Sequence, residues 1–319
     1  MTSPQKPVAS PYDSSSTAHE VLDGVDLTGR FAVVTGGYSG LGLETTRALQ
    51  MAGADVVVPA RRPDHARGIL EGLAHVEEMD LGELDSVGRF AAALVEHGRP
   101  IDLLINNAGI MANPETRVGP GWESQLATNH FGHYALTNQV WPLLADGGAR
   151  VVALSSTGHK LSGIRWDDPH FDTDPYNEWI AYGQAKTANS LFAVQLDALG
   201  RDVGVRSFAV HPGGIMTELQ RHMPREDLLE RGWIDEDGNP NPLFKTPEGG
   251  ASTSVWAATS SLLNGLGGVY CEDCNVASPT DPDSDVARFI GVDEHAVDRG
   301  SAERLWAMTA EATGINAFG

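Results

Sequence analysis

The stretch Val33–Thr45, VVTGGYSGLGLET, places four glycines between an apolar run and a helix-like segment. Two physical demands exclude side chains in this way. A tight turn can require glycine for its positive φ. Alternatively, an anion passes so close to the backbone that a Cβ would obstruct it, because free N–H groups and the helix dipole favour negative charge at a helix N-terminus. The apolar run ends at Thr35, the glycines follow at once, and a helix opens near Leu41. That is the context in which a glycine-rich turn reads as a phosphate cradle. The spacing Gly36, Gly40, Gly42 departs from the plain G-x-G-x-x-G pattern, so the rest of the chain has to decide.

From Phe31 onward, short apolar runs alternate with longer helical patterns. FAVVT, DVVVP, IDLLIN, RVVALS and VRSFAV are continuous enough to be strands buried on both faces, with HVEEMD a weaker strand and GGVY a last short one. Leu41–Ala52, Glu83–His97, Trp122–Leu144 and Tyr182–Leu199 lie between them, each long enough for a crossover helix. This order predicts an α/β fold, one doubly wound parallel sheet with helices on both faces. No repeat or linker divides the middle, so residues 21–319 read as one domain behind a polar tail, 1–20, expected to be disordered or extended. Two long segments, 158–180 and 213–250, follow strand ends on the side where such sheets bind ligands.

Composition narrows the function. The 319 residues carry a net charge of −21, with lysine only at Lys6, Lys160, Lys186 and Lys245. No basic stripe exists to meet nucleic acid, and an acidic surface is repelled by anionic lipid. No apolar run approaches the ~20 residues needed to span a bilayer, and the N-terminus lacks a signal-peptide core. The expected location is the cytoplasm. Cys271 and Cys274 form a C-x-x-C, but the pair follows a strand, whereas a redox dithiol normally opens a helix; they read as structural thiols. His130, His133 and His211 match no ligand spacing, so no metal is expected.

Three later pieces give the glycine turn its meaning: NNAG at Asn106–Gly109, the serine pair Ser155–Ser156 after the fifth strong strand, and YGQAK opening a helix. With these in order, the chain resembles the short-chain dehydrogenase/reductase family. TGGYSGLG matches its T-G-x-x-x-G-x-G, Tyr182-x-x-x-Lys186 its catalytic pair, and HPGGIMT its P-G-x-x-x-T segment. The resemblance covers about residues 22–314. EVLDGVDLTGR, YGQAKTANSLFAVQL and AERLWAMTAEATG are most similar to the retinol-dehydrogenase and WW-domain-oxidoreductase-like group, without an anchor or WW module. The resemblance implies a Rossmann-type fold and a dinucleotide held by Gly36, Tyr38, Ser39, Gly40, Leu41, Gly42, Asp80, Leu81, Asn107, Ala108, Gly109, Pro212, Gly213, Ile215 and Thr217, together with Tyr182 and Lys186. It also implies a helix Asn, here Asn129, that holds a water linking Lys186 to solvent, and Ser156 as the hydroxyl on the reacting oxygen, with Ser155 a backbone-facing helper.

The chemistry follows from residue types. Tyr182 and Lys186 are four apart, hence on one helical face. A free tyrosine has pKa ~10, too high for efficient proton exchange near neutrality. A neighbouring ammonium, with the positive nicotinamide, is expected to bring it down by favouring the phenolate. The function expected is an NAD(P)-dependent oxidoreductase interconverting a hydrophobic alcohol and its ketone or aldehyde. The alternative is a redox-sensing dinucleotide-binding protein without turnover. Arg61 and Arg62 close the second strand where an acidic residue would select NAD, so NADP is the preferred cofactor and NAD remains open, as does a merely solvated basic turn. Ile164, Trp166, Phe171, Tyr176 and Trp179 in the first long segment, with Met216, Leu219, Met223 and Phe244 in the second, are expected to line an apolar pocket. Arg221, His222 and Arg225 alternate with acids and read as a solvated helix face. In the family the helices near Trp122–Leu144 and Tyr182–Leu199 commonly pair across a dimer axis, which makes a homodimer the expected assembly.

Overall fold

The computed structural model describes residues 4–319. The first three residues of the expected tail therefore lie outside the described residues. Gln5 and Val8 fasten the segment before the first helix to one sheet edge: Gln5 Nε2 donates to the carbonyls of Tyr270 and Ala277, each at 2.7 Å, and Val8 N donates to Asn275 Oδ1 at 2.8 Å. A first short helix, α1 (Ala18–Leu22), opens with a reciprocal Thr17–Glu20 capping box.

The central sheet is built by β1 (Phe31–Val34), β2 (Asp55–Ala60), β3 (His75–Glu78) and β4 (Leu103–Asn106), joined by α2 (Gly40–Met51), α3 (Pro63–Leu70) and α4 (Leu84–His97). A small hairpin, β5 (Arg117–Val118) and β6 (Trp122–Glu123), leads into α5 (Ser124–Leu126), a π-helical turn at Ala127–Phe131, α6 (Gly132–Gln139) and α7 (Trp141–Ala145). Then follow β7 (Arg150–Leu154), α8 (Glu178–Gly200), β8 (Arg206–His211), α9 (Arg225–Glu230), α10 (Pro247–Thr259), β9 (Val269–Glu272), β10 (Asn275–Val276) and α11 (Arg299–Thr313). The strand order is β3-β2-β1-β4-β7-β8-β9-β10, parallel throughout except that β10 pairs antiparallel with β9. The order reverses between β1 and β4, and the crevice outside the carboxyl ends there is where such sheets take ligands.

The strand runs are apolar because both faces are covered. In β1, Ala32 and Val34 join the core under α1, α2 and α10, while Phe31 and Val33 join the core under α4, α6 and α7. Successive side chains point to opposite faces, so four apolar residues in a row serve two cores. Helix α8 is buried along nearly its whole length, from Ala181 to Val194. Helix α11 lies along it: Trp306 stacks on Phe192 with ring centroids 5.8 Å apart and meets Tyr134 of α6 at 4.8 Å. Helix α11 therefore fills the groove between α6 and α8, the helices expected from the sequence to meet a second copy. Among the described residues no helix is long and apolar enough to cross a membrane. Cys271 and Cys274 are both buried and free, and burial raises the pKa of each thiol.

Candidate active site

The turn after β1 is shaped by two close approaches. Gly36 has φ +64°, and a Cβ on Gly42 would lie 2.3 Å from the Gly36 carbonyl oxygen, so neither position accepts a side chain. Ser39 precedes α2 without making a side-chain capping bond. The first N–H groups of the helix are thus left to an external anion. They open into a cavity of about 890 Å³ lined by Gly36, Tyr38, Ser39, Gly40, Leu41 and Gly42 on this side. Arg61, Arg62, Asp80 and Leu81 line it further along, and Asn107, Ala108 and Gly109 line the wall from β4. These expected positions from β1, β2, β3 and β4, with Thr217, surround one space, and their donors and shape fit a dinucleotide. Pro212, Gly213 and Ile215 stand off the wall; Ile215 is buried, near where a Cβ on Gly250 would fall.

Ser156, Tyr182, Lys186 and Asn129, the expected catalytic positions, gather beyond the inner end of this cavity, with Gly109 between. A Cβ there would sit 3.1 Å from Asn129 Oδ1 and 3.8 Å from Lys186 Nζ. Asn177 caps α8 by accepting from the N–H groups of Trp179 and Ile180, and so sets the start of the helix that carries Tyr182 and Lys186. The Tyr182 ring and Ser156 Oγ both border Gly158, which brings the phenol and the hydroxyl side by side, and Lys186 Nζ lies 5.6 Å from the Tyr182 ring centroid. Lys186 donates to the Leu154 carbonyl at 2.9 Å. Ser156 Oγ accepts from Gly158 N at 3.0 Å, whereas Ser155 Oγ donates away from the site, to the Lys186 carbonyl at 2.8 Å. Asn129 sits in the π-turn, where its carboxamide accepts from Ile110 N at 2.8 Å and donates to Ile110 O at 3.0 Å.

Electrostatics here differ from the simple expectation. Burial pushes Tyr182 up to about 12, with the Ser156 hydrogen bond acting against it. Burial also brings Lys186 down to about 8. Desolvation disfavours both charged forms, so the lysine alone does not deliver a depressed phenol.

The geometry meets its independent counterpart in the sequence comparisons. A family model described as short chain dehydrogenase matches residues 30–227. The chain belongs to the short-chain dehydrogenase family. Within that family it is 46% identical over 298 residues to a Streptomyces lividans protein named "Probable oxidoreductase", covering 90% of this chain and 98% of the relative. It is 34% identical to retinol dehydrogenase 12 of Bos taurus, covering 91% and 88% of the two chains. A solved structure from Mycobacterium Paratuberculosis, of an uncharacterized protein, superposes with a TM-score of 0.73 at 30% identity over 96% of this chain and 99% of that one. The protein is thus an oxidoreductase by family.

Other expectations change for this family member. Ile164 and Trp166 pack beside α11, where Arg304 lies 4.2 Å over the Trp166 ring, so they fasten the first long segment to the body. Phe171 is buried against Tyr176 and under Arg165. Of that segment, Trp179 joins the apolar group around Tyr182, together with Met111, Ala112, Leu219, Met223 and Trp233. Phe244 reaches this group through Trp233, with centroids 5.9 Å apart. Arg221, His222 and Arg225 are exposed, as expected of a solvated face, and Arg221 and His222 also line the large cavity beside Thr217. The sequence reading missed Met111, Ala112 and Trp233; their only local signal was apolar character within otherwise polar connections.

Proposed function

We propose that this protein is an NADP(H)-preferring alcohol dehydrogenase or carbonyl reductase acting on a bulky hydrophobic alcohol and its ketone or aldehyde. The observation that supports this reading best is the meeting of Ser156, Tyr182 and Lys186 beyond the inner end of a cavity whose outer half carries Arg61 and Arg62. When bound, the dinucleotide supplies or accepts the hydride at the substrate carbon and, oxidised, adds a positive charge near the phenol. In reduction, Tyr182 passes its proton to the carbonyl oxygen as the carbon gains hydride, and the C=O π bond becomes a C–O–H. The Ser156 hydroxyl donates to the same oxygen in reduction and accepts from the alcohol in oxidation. Lys186, held by the Leu154 carbonyl, stabilises the phenolate left behind. Asn129 orders the Ile110 backbone at the edge of the site and holds the relay water beside Lys186.

The apolar group of Met111, Leu219, Met223, Trp179 and Trp233 supports a substrate bound by apolar burial with few polar anchors. For assembly, α11 along α8 covers the groove expected to pair, so a homodimer would have to meet through another face. A cytoplasmic location rests on composition alone.

Tyr182→Phe tests the reading, because it removes the proton and keeps the ring. General acid–base catalysis contributes roughly 10²–10⁴-fold, so turnover should fall by that factor while dinucleotide affinity stays within about threefold. Retention of most activity would reject Tyr182 as the acid/base. Wild-type protein that binds dinucleotide but turns over no ketone in a broad panel would favour the sensing alternative.

A further inference from the structure

One imidazole joins two parts of the site that the chemistry above treats separately. His133 is buried on α6, one helical turn after Asn129. Its Nδ1 lies 2.9 Å from the Asn129 carbonyl oxygen, and its Nε2 lies 2.8 Å from Thr35 Oγ1. A carbonyl can only accept, so Nδ1 carries the proton and Nε2 presents a lone pair. The Thr35 hydroxyl then gives its single hydrogen to Nε2 at 2.8 Å, much nearer than its other acceptor, the Ile105 carbonyl at 3.4 Å. Its own lone pairs are left for the N–H groups of Asn107 at 2.9 Å and Ala108 at 3.0 Å. Asn107 Nδ2 closes the arrangement by donating to the Thr35 carbonyl at 2.8 Å. Each donor and acceptor in this chain of bonds has a partner of the opposite kind.

We propose that His133 is a positioning residue for the reaction, holding the Asn107–Gly109 turn through Thr35 and the Asn129 turn beside Lys186 in one fixed relation. The first turn lines the cavity, and the second flanks the ammonium that serves Tyr182. A protonated imidazole would break the relation, since an Nε2–H would face an oxygen that already accepts two N–H bonds. Burial keeps His133 neutral by bringing it down to about 4, with the charge of Lys186 acting in the same direction. His130, the other titratable group coupled to it, is held down by burial to about 3 and is neutral as well. The proposal rests on the reading that a dinucleotide occupies the cavity, yet it has a consequence in the free protein too.

The experiment compares His133→Phe, Thr35→Val and the double variant, with Thr35→Ser as the conservative counterpart. Amide exchange at Asn107 and Ala108 is followed without dinucleotide, and the NADPH dissociation constant is measured by fluorescence. Loss of one such hydrogen-bonded link should raise both quantities about tenfold in either single variant. The double variant should be no worse than the poorer single, since both break one chain of bonds. Thr35→Ser, which keeps the hydroxyl, should recover most of the loss. Unchanged exchange and affinity in His133→Phe, or multiplying effects in the double variant, would overturn the proposal. If His133→Phe does not fold, His133→Gln is judged by the same two quantities, a rise in both supporting the proposal and no rise overturning it. Wild-type protein that binds no dinucleotide would defeat the proposed function, while the exchange measurement would still decide the role of His133.

Discussion

Replacing Arg61 with alanine is the sharpest test of cofactor choice. Arg61 and Arg62 are exposed, line the cavity at the end of β2, and form no ion pair among the described residues. The acid next in sequence, Asp64, does not line the cavity; its side chain is 97% exposed and is held by Arg67 at 2.8 Å, turned from the role of accepting a ribose hydroxyl. A charge-assisted contact to a 2′-phosphate is worth about 1.5–3 kcal/mol, and exposure places this one near the lower end. At 1.4 kcal/mol per decade, that is roughly a 10- to 30-fold rise in the NADPH dissociation constant. NADH lacks the phosphate, so its dissociation constant should move by less than about threefold. Fluorescence titration of both cofactors gives the two numbers directly. Repeating it at about 0.5 M salt should shrink the wild-type preference, because exposed charges are screened over a few ångströms there. A wild-type protein that binds NADH more tightly, or an Arg61→Ala variant that weakens both cofactors equally, would refute the reasoning.

Three further outcomes follow from the structure. Across ketones of growing apolar size, kcat/KM should rise with buried area at about 25 cal/mol per Å² until the pocket is filled; a preference for small or anionic substrates would reject the apolar wall. Thermal stability should fall as the pH drops from 6.5 towards 4, because burial brings His133 and His159 down to about 4 and His130 and His211 down to about 3. Below 6.5 the unfolded chain binds protons that the native state refuses, so stability is lost as pH falls, by about 2 kcal/mol per such histidine at pH 5. Glu272, pushed by burial up to about 7, works in the opposite sense and offsets about one of the four. A melting temperature unchanged between pH 7 and 5 would contradict this balance. Finally, Asp197 is 2% exposed and holds Arg206 through contacts of 2.7 and 3.1 Å. Asp197→Ala leaves that guanidinium unpaired and should cost about 3–5 kcal/mol in denaturant unfolding, a loss that a change below about 1 kcal/mol would contradict.

Much of the sheet could be read from sequence because its strands are covered on both faces and therefore look continuously apolar. The weakest, β3, lies at the edge with Val76 alone buried, which is why HVEE carries little signal. Helices were harder wherever amphipathicity fails. Helix α10 contains Gly249 and Gly250 and is buried from Gly249 to Ala258, so it has no polar face to mark its period. The expected single helix Trp122–Leu144 is instead a strand end, a π-turn and three helical pieces. Glu123 accepts from the N–H groups of Gln125 and Leu126 and starts the first piece, while Pro142 sits in the first turn of the last. Proline at a helix start was readable in advance; the π-turn depends on Asn129 and Ile110, whose meeting no local pattern announces. The turn between β9 and β10 is similar, since Asp273 and Cys274 adopt φ of +48° and +54° without a glycine to signal it.

The site divides along the same line. The relative placement of groups a few residues apart, such as Tyr182 with Lys186 or the glycines after Thr35, was readable because one turn or one helical face fixes their geometry. The apolar group around Tyr182 is assembled from segments whose separation in space is set by packing far from it. Ile164 and Trp166 pack beside α11, a helix more than a hundred residues later, and so lie apart from the apolar group around Tyr182. Trp233 entered it because Lys245 N donates to the Gly214 carbonyl at 2.8 Å and Trp233 packs on Trp179 with ring centroids 6.1 Å apart. The wall near Tyr182 is therefore made mainly by the second long segment and the residues after Asn106–Gly109. Substrate preference should accordingly follow exchanges at Leu219, Met223 and Trp233, while exchanges at Ile164 or Trp166 should act on stability through their packing beside α11.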